Sequence, residues 1–187
     1  MTVVAKEPSY SSHAWLTPAN ALTAVRLAAT PVVLILIAQR HFDVLTLVLW
    51  VIVCATDWAD GILARRYGVS KSGAFLDPLA DKILVLGAMI VLVLKKEFWV
   101  LPVALIATRE IAMSVYRSVV GRKGVSIPAR RSAKYKTFAQ QVCVSFAITP
   151  WLGQHASWIG HVLLWVSVAL TLYTGGQYLN AARNRTN

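Results

Sequence analysis

The sequence predicts an all-α integral membrane protein, a bundle of six transmembrane helices with a polar cavity facing the cytoplasm. Three observations lead there. Hydrophobic residues make up 57% of the 187-residue chain and charged residues only 14%, against about 25% charged in a typical soluble domain. The apolar residues come in blocks with polar connectors between them, as bilayer-crossing helices require. Those connectors differ sharply in charge from one side to the other. The length fits one small bundle and leaves no room for a second soluble domain. We therefore expect a short cytoplasmic segment at 1–15, a membrane domain at 16–182 and a cytoplasmic tail at 183–187.

The first span runs from about Ala19 to Ala38, opened by the cap-like Thr17-Pro18-Ala19-Asn20. The second, Val44 to Ala59, is short for a hydrocarbon core of ~30 Å, so its helix should extend into the polar flank. The third starts near Asp77 and continues to Leu94. The fourth covers Phe98 to Val119 and carries Arg109 and Glu110 in its middle. The fifth, Tyr135 to Ile148, is again short, and the sixth covers Trp158 to Tyr178. The first fifteen residues lack the basic–apolar–small pattern of a removable signal peptide. Cys54 and Cys143 lie inside apolar runs and read as buried reduced thiols. His13, His41, His155 and His161 have no metal-ligand spacing.

The formal net charge is +11. The basic residues alternate with spans and form no continuous groove, which argues against nucleic acid as a partner and for membrane lipid and orientation signals. One side collects Arg65, Arg66 and Lys71, then Arg117, Arg122, Lys123, Arg130, Arg131, Lys134 and Lys136, then Arg183 and Arg185. The other holds Arg40, Lys95 and Lys96. The positive-inside rule puts the first group, and both termini, in the cytoplasm. Trp15, Trp50, Trp99, Trp151 and Trp158 lie near span ends, where interfacial aromatics sit.

Four of the eight acidic residues fall in one stretch, Asp57, Asp60, Asp77 and Asp81. Carboxylates beside hydrocarbon are costly and generally have a partner and a role. Asp57 and Asp60 are three apart, Asp77 and Asp81 four apart, so each pair shares a helix face. The Arg65–Ser72 stretch between them contains Gly68 and reads as a turn. Two helices meeting there would direct four hard oxygen donors to one place. That set suits two divalent cations, Mg²⁺ or Mn²⁺, which would relieve the mutual repulsion of the acids. Gly61, Ala64 and Gly73 would let a bulky ligand approach the backbone, and Arg65 could meet a phosphate oxygen or sit as a charge at the membrane edge. Taken singly, Asp60-Gly61 also fits a plain turn, Asp77-Pro78 a helix start, and Gly61/Ala64 close helix packing.

Together these residues read D-x2-D-G-x2-A-R, a spacer, then G-x3-D-x3-D, from Asp57 to Asp81. The chain thereby resembles the CDP-alcohol phosphatidyltransferases. Its spacer of seven residues departs from the eight most often expected, a difference that bears on the local turn more than on the chemistry. Outside the signature it looks most like the phosphatidylglycerophosphate synthases: Asn20-Ala-Leu-Thr23-Ala-Val-Arg26, Gly73 through Lys82, Thr108-Arg109-Glu110-Ile111, Lys134-Tyr135-Lys136-Thr137 with Gln140, and Gln177-Tyr178-Leu179.

The resemblance implies phosphatidyl transfer from CDP-diacylglycerol to sn-glycerol 3-phosphate, in a cell (inner) membrane, by a chain that family precedent allows to form a homodimer. It implies that Asp57, Asp60 and Asp77 hold two metal ions, and that Asp81 completes the cage and takes the proton of the acceptor hydroxyl. Gly61, Ala64, Arg65 and Gly73 would line the nucleotide site. An acceptor with a phosphate dianion calls for cations, and Arg109, Arg117, Lys134 and Lys136 are the candidates. Arg109 and Glu110 fit a structural ion pair equally well, and Arg26 could either snorkel or touch a phosphate. The signature reads the donor, so inositol phosphate, phosphatidylglycerol or serine stay open as acceptors. A small transporter would spread polar residues along the spans, whereas here the far halves are apolar. A non-catalytic scaffold would have a broken signature, whereas Asp81 is intact.

Overall fold

The computed structural model describes residues 18–39, 43–67, 71–122 and 131–186, by backbone alone at 18–20, 57–67, 71–78, 117, 120–122, 131–134, 153–154 and 179–186. Six long helices and one single-turn helix account for almost all of these residues: α1 (Pro18–Gln39), α2 (Val44–Tyr67), α3 (Lys71–Leu94), α4 (Val100–Arg122), α5 (Arg131–Ile148), α6 (Leu152–His155) and α7 (Ser157–Thr186). No strand occurs among the described residues. All six expected long helices are present.

Their ends differ from expectation in three places. Helix α3 begins at Lys71, so Asp77-Pro78 lies about two turns inside a helix and is not its start. Helix α2 runs on to Tyr67, so Arg65 and Arg66 are helical and do not belong to a turn. A helix satisfies its own backbone N–H and C=O groups, so extending both helices toward one another strands fewer polar groups at a membrane edge than a long loop would. Helix α7 continues through Thr186 and takes in residues 183–186.

Helix α3 packs against α1, α4 and α5; α5 also packs on α2 and α7, α1 on α2, and α4 on α7. One face of α3 supplies Leu84, Val85, Ala88, Met89 and Leu92 to the core, where they meet Val33 and Ile37 of α1, Ile106 of α4 and Val144 of α5. The i, i+1, i+4, i+5, i+8 spacing keeps this set on one helical stripe. Gly87 lets α1 approach, since a Cβ there would stand 2.8 Å from Leu34 Cδ1.

The surface is as apolar as the core. Val25, Val32 and Ile35 of α1, Val48 and Ile52 of α2, Leu101 and Leu105 of α4 and Trp165 and Leu172 of α7 are all exposed. Such a surface suits lipid and not water. Two stretches, Ala21–Gln39 and Ser157–Tyr178, are long and apolar enough to cross a membrane. The chain is thus built as a membrane-associated helical protein.

Trp99, Trp151 and Trp158 are exposed, as interfacial aromatics should be, but Trp50 is fully buried. Its indole Nε1 donates to Ser145 Oγ of α5 at 2.9 Å. A hydroxyl one helix away gives the indole a partner inside the bundle, which outweighs its place near a span end. Trp15 lies outside the described residues. His155 and His161 each bond the carbonyl four residues back, of Trp151 and Ser157, and Cys54 and Cys143 are not joined in a disulfide, Cys143 being buried and Cys54 partly buried.

Candidate active site

A cavity of about 150 Å³ opens where α3, α4, α5 and α7 meet, and its wall includes Asp81, Lys82, Arg109, Glu110, Lys136 and Tyr178. Each helix reaches it for a local reason. On α7, Ser167, Thr171, Thr174 and Tyr178 recur every three or four residues and are all buried, while Leu172 and Tyr173 on the other face are exposed. That is the amphipathicity of a helix with its polar stripe turned inward. On α4, Arg109 and Glu110 interrupt an apolar run and both turn into the bundle.

The charged groups form a chain across three helices. Arg109 donates through Nη1 to Glu110 Oε1 at 3.0 Å and through Nη2 to Thr174 Oγ1, also at 3.0 Å. Lys136 of α5 makes a second ion pair with the same Glu110 oxygen. Thr174 passes its own hydroxyl proton to Leu170 O at 2.8 Å, and Gln140 Nε2 donates to Thr171 Oγ1 at 3.1 Å. Lys82 of α3 donates to Ser114 Oγ of α4, which donates in turn to Glu110 O at 2.7 Å. The side chains of Arg109, Glu110 and Lys136 are 12%, 5% and 9% exposed. One carboxylate therefore faces two nearly buried cations, and Arg109 Nε is left buried without a partner. Such a cluster is receptive to a further anion, since charges in a medium of low dielectric interact strongly.

Asp81 of α3 lines the same cavity, partly buried, with Gln141 Nε2 of α5 at 3.5 Å from its Oδ1. Of the expected site residues, the structure brings Asp81, Arg109 and Lys136 to one cavity. Asp57, Asp60, Gly61, Ala64 and Arg65 lie on the last three turns of α2 and Gly73 and Asp77 on the first two of α3; their side chains are outside the described residues. The same holds for Arg117 near the end of α4 and Lys134 at the start of α5. Among the described residues no three metal-ligating side chains gather. The donor set nonetheless fits divalent cations by its chemistry: Asp77 and Asp81 are one helical turn apart on α3, and α2 carries two more carboxylates.

Arg26 does not snorkel. It is 1% exposed and its Nε donates to Thr56 Oγ1 of α2 at 3.1 Å. Contributors that escaped sequence reasoning include Ser114, Gln141, Thr171 and Thr174. The signal for Thr174 was present, a hydroxyl at helical spacing from Thr171 and Tyr178 within an apolar run. Nothing local marks Ser114 or Gln141.

A helical bundle with an apolar surface and one cavity lined by a carboxylate and nearly buried cations is the setting of a membrane enzyme that acts on anionic substrates. The family model for CDP-alcohol phosphatidyltransferases matches residues 16–173, and the chain belongs to that family. It is 36% identical over 171 residues to the CDP-diacylglycerol–glycerol-3-phosphate 3-phosphatidyltransferase of Rickettsia bellii (strain RML369-C), covering 88% of this chain and 94% of the relative. It is 39% identical over 173 residues to the probable phosphatidylglycerophosphate synthase of Mycobacterium tuberculosis (strain ATCC 25618 / H37Rv), covering 88% and 80%. It is 38% identical over 140 residues to the CDP-diacylglycerol–glycerol-3-phosphate 3-phosphatidyltransferase of Shigella flexneri serotype 5b (strain 8401), covering 71% and 75%.

Proposed function

We propose that this chain transfers the phosphatidyl group of CDP-diacylglycerol to sn-glycerol 3-phosphate, forming phosphatidylglycerol phosphate and CMP. The observation that carries the reading is the cavity wall itself, which holds Asp81 together with Arg109 and Lys136. A hydroxyl that must lose a proton and a phosphate that must be held are the two ends of one small acceptor. The relatives from Rickettsia bellii and Shigella flexneri are named for the same pair of substrates, which supports the reading.

In this reading Arg109 and Lys136 bind the acceptor phosphate, assisted by Arg117 and Lys134. Asp81 accepts the proton of the acceptor hydroxyl as its oxygen bonds to the donor phosphorus that carries the diacylglycerol. The bond from that phosphorus to the CMP oxygen breaks, and CMP departs with the electron pair. Asp57, Asp60, Asp77 and Asp81 would hold two divalent cations, Mg²⁺ or Mn²⁺, which when bound neutralise the donor diphosphate and stabilise the leaving CMP. Gly61, Ala64, Arg65 and Gly73 line the nucleotide side.

We further infer that all six long helices span a cell (inner) membrane. The lipid-suited surface of the bundle and the concentration of Lys and Arg on one side support this, with the site and both termini in the cytoplasm.

The test is an acceptor panel in detergent: CDP-diacylglycerol, Mg²⁺ or Mn²⁺, and one labelled acceptor at a time among glycerol 3-phosphate, inositol phosphate, phosphatidylglycerol and serine. CMP release with glycerol 3-phosphate alone, abolished by a chelator and restored by either ion, is the expected result. Turnover with another acceptor would keep the donor chemistry and overturn the acceptor assignment.

A further inference from the structure

Arg109 occupies a seat cut for it in α7. Thr174 gives Nη2 its acceptor at 3.0 Å. At the next residue, Gly175, an added Cβ would stand 3.1 Å from Arg109 Nε and 3.7 Å from its Cγ. The guanidinium thus lies close against bare backbone, where a Cβ would force it to shift. Gly176, one residue further on, is exposed, and a Cβ there would meet nothing within 4 Å. Two adjacent glycines in one helix therefore have different reasons to be small, and only Gly175 has Arg109 over it. Glycine within a helix costs about 1 kcal/mol relative to alanine, a cost that Gly176 incurs without a contact to account for it.

We propose that Thr174 and Gly175 are positioning residues for the acceptor: Gly175 makes the room and Thr174 the hydrogen bond that together fix Arg109 toward the cavity. Glu110 holds one corner of the guanidinium and α7 holds the other, so the reach of Arg109 is set between two helices. A planar donor fork must be aimed to bind a phosphate at more than one oxygen. The inference rests on the reading of Arg109 as a ligand of the acceptor phosphate.

The experiment is steady-state kinetics in detergent on the wild type and on Gly175→Ala, Gly176→Ala, Thr174→Val, Thr174→Ser and Arg109→Ala, with thermal midpoints taken on the same samples. Gly175→Ala should raise the acceptor KM by about tenfold, the scale of one charged hydrogen bond, with the donor KM within about twofold. Its thermal midpoint should hold or rise, because alanine favours the helix and the displaced atoms end a flexible side chain. Gly176→Ala should show the same thermal gain with both KM values unmoved. Thr174→Val should repeat the acceptor defect, and Thr174→Ser, which keeps the hydroxyl, should largely restore it.

The proposal is overturned if Gly175→Ala leaves the acceptor KM where Gly176→Ala leaves it. It is equally overturned if donor and acceptor KM rise together, the mark of a bundle that has merely loosened. If Arg109→Ala itself leaves the acceptor KM unmoved, the acceptor-phosphate reading fails first. If Arg109→Ala raises it and Gly175→Ala does not, only the seat is wrong. Should another phosphorylated acceptor prove to be the substrate, the same comparison decides with that acceptor; an unphosphorylated one would sink both.

Discussion

The guanidinium of Arg26 on α1 donates to Thr56 Oγ1 on α2 at 3.1 Å, one residue before the first carboxylate of the acidic motif. Thr56 in turn donates to Val53 O at 2.6 Å, and Thr30 Oγ1 reaches back to Arg26 O at 2.8 Å. A buried arginine is thereby tied to the helix that carries Asp57 and Asp60.

That tie should be measurable as stability. Arg26→Met keeps the apolar stem and removes the charged donor. A hydrogen bond to a charged group contributes roughly 1.5–3 kcal/mol, and Arg26→Met should cost about that much in denaturant or thermal unfolding in detergent, with Thr56→Val costing less. An unchanged midpoint would mean that the contact contributes nothing.

Asp81→Asn should lower turnover by about 10²- to 10⁴-fold, the usual contribution of a positioned general base. Asparagine keeps the shape and loses the ability to take a proton, so CDP-diacylglycerol binding should largely survive. Near-normal turnover would remove Asp81 as the base.

Lys136→Met should raise the acceptor KM by about 10- to 100-fold, as loss of one charge-assisted hydrogen bond would. The remaining Arg109–Glu110 pair stays matched in charge, so the fold should persist. The donor KM should stay within about twofold, and parallel movement of both constants would return Lys136 to a structural role.

Trp50→Phe removes the indole N–H from Ser145 and keeps most of the ring. A net loss of about 1 kcal/mol is expected from the hydrogen bond, with a further contribution from the space left in the core. The readout is the unfolding midpoint. No loss would place Trp50 back at an interface, against its complete burial.

The sequence by itself determined the helical membrane character, the order of the six long helices and the carboxylate motif with its family, and it singled out Arg109 and Lys136, which line one cavity. Each of these is written in local terms: the length of an apolar run, the spacing of acids along one helix, the charge of a connector. Helix ends were less legible, as at Lys71 and Tyr67, because a turn residue such as Gly68 marks a break without fixing where the flanking helices stop.

Only the tertiary structure decided which groups meet. It showed that Glu110 is shared by Arg109 and Lys136, that Arg26 is held by Thr56, that Trp50 finds Ser145, and that Gly175 rather than Gly176 lies under a guanidinium. Those pairings depend on how α1, α2, α4, α5 and α7 cross and on their rotation about their own axes. A change of one residue in that rotation turns a side chain by about 100°, and periodicity within a single helix does not contain that information.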